Sequence, residues 1–177
     1  MFKKTALNLA LSAALLLSAG LASAASATVN LPVTASVTAK CSIAVGGTGL
    51  AFGAYDPIVA NLTAPLTATG SVDVTCAKNA STLTIGMGNG TNFLVKRRMT
   101  DGTDFLLYDV GQPPNNTPGT ACNFPAATSW DNVATLALTT APSKALRSYN
   151  VCGSIPAGQD VAAGLPYTDT IIATINF

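Results

Sequence analysis

The residues of this chain best equipped for covalent chemistry are four cysteines, Cys41, Cys76, Cys122 and Cys152. A metal site is a poor reading of them, because no two stand in a C-x-x-C pair and the chain has no histidine to complete a ligand set. An even number of cysteines behind an export signal reads instead as two disulfides made in an oxidising compartment. Four cysteines allow three connectivities, and the favoured one joins Cys41 to Cys76 and Cys122 to Cys152. Each of these pairings closes a loop of about 30 to 36 residues, which the chain-entropy model values at roughly 3 to 4 kcal/mol.

Catalytic chemistry finds little support. Without histidine there is no Ser-His-Asp or Cys-His arrangement, and the eight acidic residues are all aspartates. Asp101 and Asp104 flank the tip of a hairpin, where an acid pair is solvated rather than tuned by burial. Gly86-x-Gly88-x-Gly90 lacks the Lys-Ser/Thr and the following helix of a phosphate loop. Lys96-Arg97-Arg98 reads as a solvated sheet edge, and Trp130, Tyr55 and Tyr167 read as core or corner residues rather than a ligand platform. No catalytic residue, metal or cofactor is expected, and the chain is not read as an enzyme.

The elements that would carry these residues begin after an address. Lys3 and Lys4, the apolar run from Leu7 to Leu21 and the small residues Ala22-Ser23-Ala24 form a secretory signal peptide, residues 1–24, removed after Ala24. Removal takes two of nine basic residues and leaves eight acidic ones, a net charge near −1. So weak a field attracts neither nucleic acid nor an anionic membrane, and direct membrane insertion is not expected.

Beyond the signal the apolar pattern has the two-residue period of strands. Leu66 to Cys76 alternates, Leu83, Ile85 and Met87 continue it, and Gly86, Gly88, Asn89 and Gly90 offer positive-φ turn positions. Phe93 to Met99 and Phe105 to Val110 flank Thr100-Asp101-Gly102-Thr103, a hairpin signal. Gly111 to Ser129 is a loop rich in Pro, Asn and Gly, tied down by Cys122. Strands resume at Val133 to Thr139, Leu146 to Ile155 and Tyr167 to Phe177, with Pro156 to Asp160 as a turn. Short strands punctuated by Gly and Pro, with no 3.6-residue period, predict an all-β sandwich.

Two features make that sandwich unusual. It stops on Phe177 inside an amphipathic strand with no further strand to cover the edge. It also begins with an over-long one: from Ala27 to Ala39 every second residue is apolar, a run of roughly 43 Å at about 3.3 Å per residue.

The sequence resembles the spore coat protein U family, whose members include subunits of archaic chaperone-usher pili. The residues that carry the resemblance are Cys41 with Ile43, Phe52-Gly53-Ala54-Tyr55-Asp56 and Val72-Asp73-Val74-Thr75-Cys76. Further on come Tyr149, Val151 and Gly153 with Ile155-Pro156-Ala157-Gly158-Gln159-Asp160, then Tyr167-Thr168-Asp169-Thr170 and Phe177. The resemblance implies an incomplete immunoglobulin-like β-sandwich lacking its last strand, residues 41–177, preceded by an N-terminal donor strand, residues 25–40. It implies a pilin subunit that polymerises by donor-strand complementation into a surface fibre used in adhesion and biofilm formation. Its partners would be a periplasmic chaperone, an outer-membrane usher and neighbouring subunits, with export through the periplasm to a cell-surface fimbrium. On this reading Val29, Leu31, Val33 and Val37 are donor anchors, and Ile171, Ile175 and Phe177 line the acceptor groove. Pro32 cannot donate a ladder hydrogen bond, so regular pairing is expected to falter there. The alternative is a secreted coat-type or carbohydrate-binding β-sandwich adhesin that does not polymerise.

Overall fold

The computed structural model describes residues 25–164 and 166–177. The expected signal peptide, residues 1–24, lies outside them. Two compact units divide the chain, Met1–Ser36 and Val37–Phe177. Within the first, residues 25–36 are exposed and free of regular structure.

The second unit is all-β, and no helix occurs among the described residues. Its strands are β1 (Cys41–Gly46), β2 (Leu66–Cys76), β3 (Thr84–Met87), β4 (Arg98–Thr100), β5 (Phe105–Leu107), β6 (Asp109–Gly111), β7 (Leu136–Ala137), β8 (Arg147–Ile155) and β9 (Ala173–Asn176). They form a four-stranded sheet in the order β1-β2-β8-β6 and a three-stranded sheet in the order β7-β3-β9, with β4-β5 as a separate hairpin. Every pairing is antiparallel. This is an open, incomplete immunoglobulin-like sandwich.

The alternation read in the sequence becomes the core. Val72, Val74 and Cys76 of β2, Ile85 and Met87 of β3, and Tyr149, Val151 and Ile155 of β8 are buried, together with Leu83, Leu106, Tyr108, Val110 and Trp130. Each large side chain buried in this way stabilises the fold by about 1.5 to 3 kcal/mol. Gly153 on the inner face of β8 admits the segment after β1: a Cβ there would stand 2.6 Å from Phe52 and 2.7 Å from Leu50. Both favoured disulfides are present. Cys41 and Cys76 are opposed in the β1–β2 register with Cα atoms 4.1 Å apart, and Cys122 is bonded to Cys152 of β8.

Several expectations need correction. The run from Val133 to Thr139 keeps only Leu136–Ala137 as strand, because Asp131 folds the backbone around its own carboxylate, accepting from Val133 N and Ala134 N. The hairpin is shorter than its apolar pattern suggests, since Leu94 and Val95 lie exposed before β4. Of the glycines assigned to positive φ after Met87, only Gly90 has it, at 91°. Gly86 is small for another reason: a Cβ on it would meet Asn132 Oδ1 at 2.9 Å. Arg97 is not part of a solvated edge but buried, because its guanidinium satisfies carbonyls that no strand reaches. Trp130, Tyr55 and Tyr167 do sit at core and corner positions. The indole of Trp130 donates to Ile85 O at 2.8 Å, and the Tyr55 hydroxyl donates to Pro156 O at 3.0 Å.

Candidate functional site

Each sheet ends in a strand with one partner, and the two sides where this happens differ. On one side β6 and β7 are bridged by the segment between them. Trp130 N donates to Val110 O at 2.9 Å, Gln112 Nε2 to Ala134 O at 2.6 Å, and Met87 N to Asp131 O at 3.3 Å. Arg97 completes the seal by donating to Gly88 O at 2.8 Å and to Trp130 O at 2.7 Å. Burial pulls its pKa below the usual arginine value, against the attraction of Tyr108, Asp131, Asp109 and Asp169.

On the other side β1 pairs only with β2 and β9 only with β3; the two strands approach within 8 Å between Cα atoms, but among the described residues no ladder joins them. A groove of about 300 Å³ opens there. Ile43 and Val45 of β1 form one wall, and Ile171, just before β9, and Ala173, its first residue, form the other. Val72, Met87, Met99, Tyr108, Val110 and Val151 lie along its floor, with Leu50 and Phe52 beside them. Such a cleft of unpaired backbone edges over an apolar floor has the properties that strand addition uses.

Of the three acceptor residues expected from the sequence, Ile171 lines this cavity. Ile175 is half-buried against the core, and Phe177 is 56% exposed. Neither touches the cavity as it stands. The sequence reading missed the floor, and Met87, Met99 and Tyr108 gave no sign of a groove, since their alternation is that of any core. Phe52 and Asp169 did carry a signal, as members of motifs on which the family resemblance rests. The expected donor anchors Val29, Leu31, Val33 and Val37 are 82% to 91% exposed, and residues 25–40 have no regular secondary structure; at their end Lys40 O accepts from Ala77 N at 2.8 Å.

One charged group lines the cavity. Asp169 is held by the loop after β3, where its Oδ1 accepts from Thr91 N at 2.9 Å, Thr91 Oγ1 at 2.7 Å, Asn92 N and Asn92 Nδ2 at 3.2 Å, and Thr170 N at 2.8 Å. Its Oδ2 accepts from the Tyr108 hydroxyl at 2.6 Å. Burial works to raise the pKa of this carboxyl, but the hydrogen bonds led by Tyr108 and Thr91 outweigh it and hold the group below its ordinary value. Burial and the same bond push the Tyr108 phenol far up. The successive backbone N–H groups of Thr91 and Asn92, just past the glycine-rich stretch, thus hold an anion that is a side chain of the same protein.

The Spore Coat Protein U domain model matches residues 27–174. The chain belongs to the Spore Coat Protein U domain family. A relative, Protein U of Myxococcus xanthus, is 35% identical over 186 aligned positions, which cover 98% of each chain. Among solved structures, a chain of the CsuC-CsuE chaperone-tip adhesion subunit pre-assembly complex, from archaic chaperone-usher Csu pili of Acinetobacter baumannii, is 20% identical with a TM-score of 0.49. That alignment covers 80% of this chain and 40% of the solved one. For a Spore Coat Protein U domain the open β1–β9 side, not a cluster of reactive groups, is the feature that calls for a function. Among the described residues no three His, Cys, Asp or Glu side chains are grouped to hold a metal, and no helix is long and apolar enough to cross a membrane.

Proposed function

We propose that this protein is a structural subunit of a surface fibre, assembled when the β1–β9 groove of one copy receives the N-terminal strand, residues 25–39, of the next. The observation that carries this reading is the contrast between a sandwich side sealed by its own chain and one left open over an apolar floor. The donor supplies the matching pattern: Val29, Leu31, Val33 and Val37 share one parity and are exposed. Four such anchors, at about 1.5 to 3 kcal/mol each, give roughly 6 to 12 kcal/mol before ordering costs. The contact is head-to-tail, so repetition yields an open filament rather than a closed ring.

Before assembly the groove needs a temporary occupant, because an unpaired apolar edge invites aggregation. A periplasmic chaperone fits that need, and an outer-membrane usher would pass the subunit to the growing fibre. Export under the signal peptide and a role in adhesion and biofilm formation complete the reading. Ile175 and Phe177 would join the acceptor surface where the incoming strand extends β9.

The test is a denaturing gel of the mature protein, run without boiling after co-expression with its assembly chaperone. Ladders that collapse on boiling are expected. The triple variant Val29→Asp, Leu31→Asp, Val33→Asp should remain chaperone-bound yet give no ladder, because three carboxylates would have to enter an apolar groove. Unimpaired ladders from that variant would overturn the assignment and favour the non-polymerising coat protein.

A further inference from the structure

Resting on the strand-acceptor reading, we infer that Asp169 and Tyr108 are positioning residues of the groove, which hold its β9 wall against its floor in the geometry that receives a strand. The inference starts from an unevenness in how that wall is supported. Ladder pairing of β9 with β3 covers Ala173 to Asn176 and ends at Met87 opposite Ala173. Ahead of it, the segment that contributes Asp169 and Ile171 has only scattered backbone bonds, Gly88 N to Ile172 O, Thr91 N to Thr170 O and the Thr100–Thr168 bridge.

Asp169 supplies the missing support. One carboxylate oxygen gathers the loop from Thr91 to Asn92, and the other takes the Tyr108 hydroxyl. Tyr108 is 4% exposed, lies in the groove floor and meets the Phe52 ring edge-on at 6.2 Å. A single charge-assisted hydrogen bond therefore joins floor to wall beside Ile171. Gly90 shows how closely the parts fit, since a Cβ there would overlap Asp169 Oδ2. Five of the six hydrogen bonds to the carboxylate fall on Oδ1, all from within the subunit, and Oδ2 takes the Tyr108 hydroxyl. The role of the carboxylate is to keep the wall from closing onto the floor or lifting away.

The experiment separates accepting from donating. The full mature chain carrying Val29→Asp, Leu31→Asp and Val33→Asp serves as an acceptor that cannot donate, and a fluorescent peptide of residues 25–39 is titrated into it. Adding Asp169→Asn is expected to weaken peptide binding about tenfold, and Tyr108→Phe about three- to tenfold. Both variants should keep the β circular dichroism and the cooperative urea unfolding of the parent, which a general loss of structure would abolish. Peptide binding within twofold of the parent for both variants would overturn the inference. If Asp169→Asn lowers β content in circular dichroism, Tyr108→Phe alone decides, since it removes one hydroxyl and keeps the ring. Failure of the parent acceptor to bind the peptide would instead defeat the strand-acceptor reading itself.

Discussion

Between β6 and β7 the chain folds back on itself, places Trp130 between the sheets and uses Arg97 to satisfy the carbonyls of Met87, Gly88 and Trp130. Between β1 and β9 it leaves Ile43, Val45, Ile171 and Ala173 around an unfilled cleft. Both sides end in strands with a single sheet partner, so the difference lies in whether the chain itself supplies a covering element. A side covered in cis adds to the stability of the monomer. On the strand-acceptor reading, an uncovered one would reserve its burial energy for a partner, at the risk of wrong association until that partner arrives.

The sharpest way to break this comparison is at Trp130. Trp130→Ala removes a fully buried side chain and its bond to Ile85 O, and should cost about 3 to 5 kcal/mol in urea unfolding of the subunit. If the loss were under about 1 kcal/mol, the sealed side would not be the structural one. Ile171→Ser on the open side should do the opposite. Its side chain is only half-buried, so unfolding stability should fall by roughly 1 kcal/mol or less, while the yield of gel ladders drops strongly. A stability loss matching that of Trp130→Ala would show that the groove wall belongs to the monomer core.

The smallest effect is expected from acid. Asp169 on the open side and Asp131 on the sealed side both have lowered pKa values, the first against its burial, the second chiefly through backbone hydrogen bonds from Ala134 and Val133. A folded-state pKa below the unfolded value means that stability is fully present above about pH 4 and is lost as pH falls through the folded pKa. Acid titration followed by circular dichroism should therefore be flat from neutrality to about pH 4 and fall below it. Asp169→Asn and Asp131→Asn should each flatten part of that fall. An unchanged acid limb in both would remove these carboxylates from the comparison.

Much of the fold was legible because alternation is a local signal. Leu66 to Cys76 and Leu146 to Ile155 correspond to β2 and β8 almost residue for residue. Arg97 was misread because a base in a charged tripeptide looks solvated, and only the fold reveals carbonyls from three distant residues converging on it. The groove was half legible. Ile171, expected through the family resemblance, lines the cavity, but Met99 and Tyr108 reach it through the hairpin and the segment that follows it, which no spacing in the sequence encodes.

By itself the sequence determined the strand class, the family and the alternating stretch from Ala27 to Ala39, because each is written in neighbouring residues or in short motifs. Only the tertiary structure decided which side of the sandwich is sealed and which is open. That choice depends on long-range pairing, with Ile85 opposite Ile175 and Trp130 against Val110, and residues so far apart in the chain meet only when the sheets have formed.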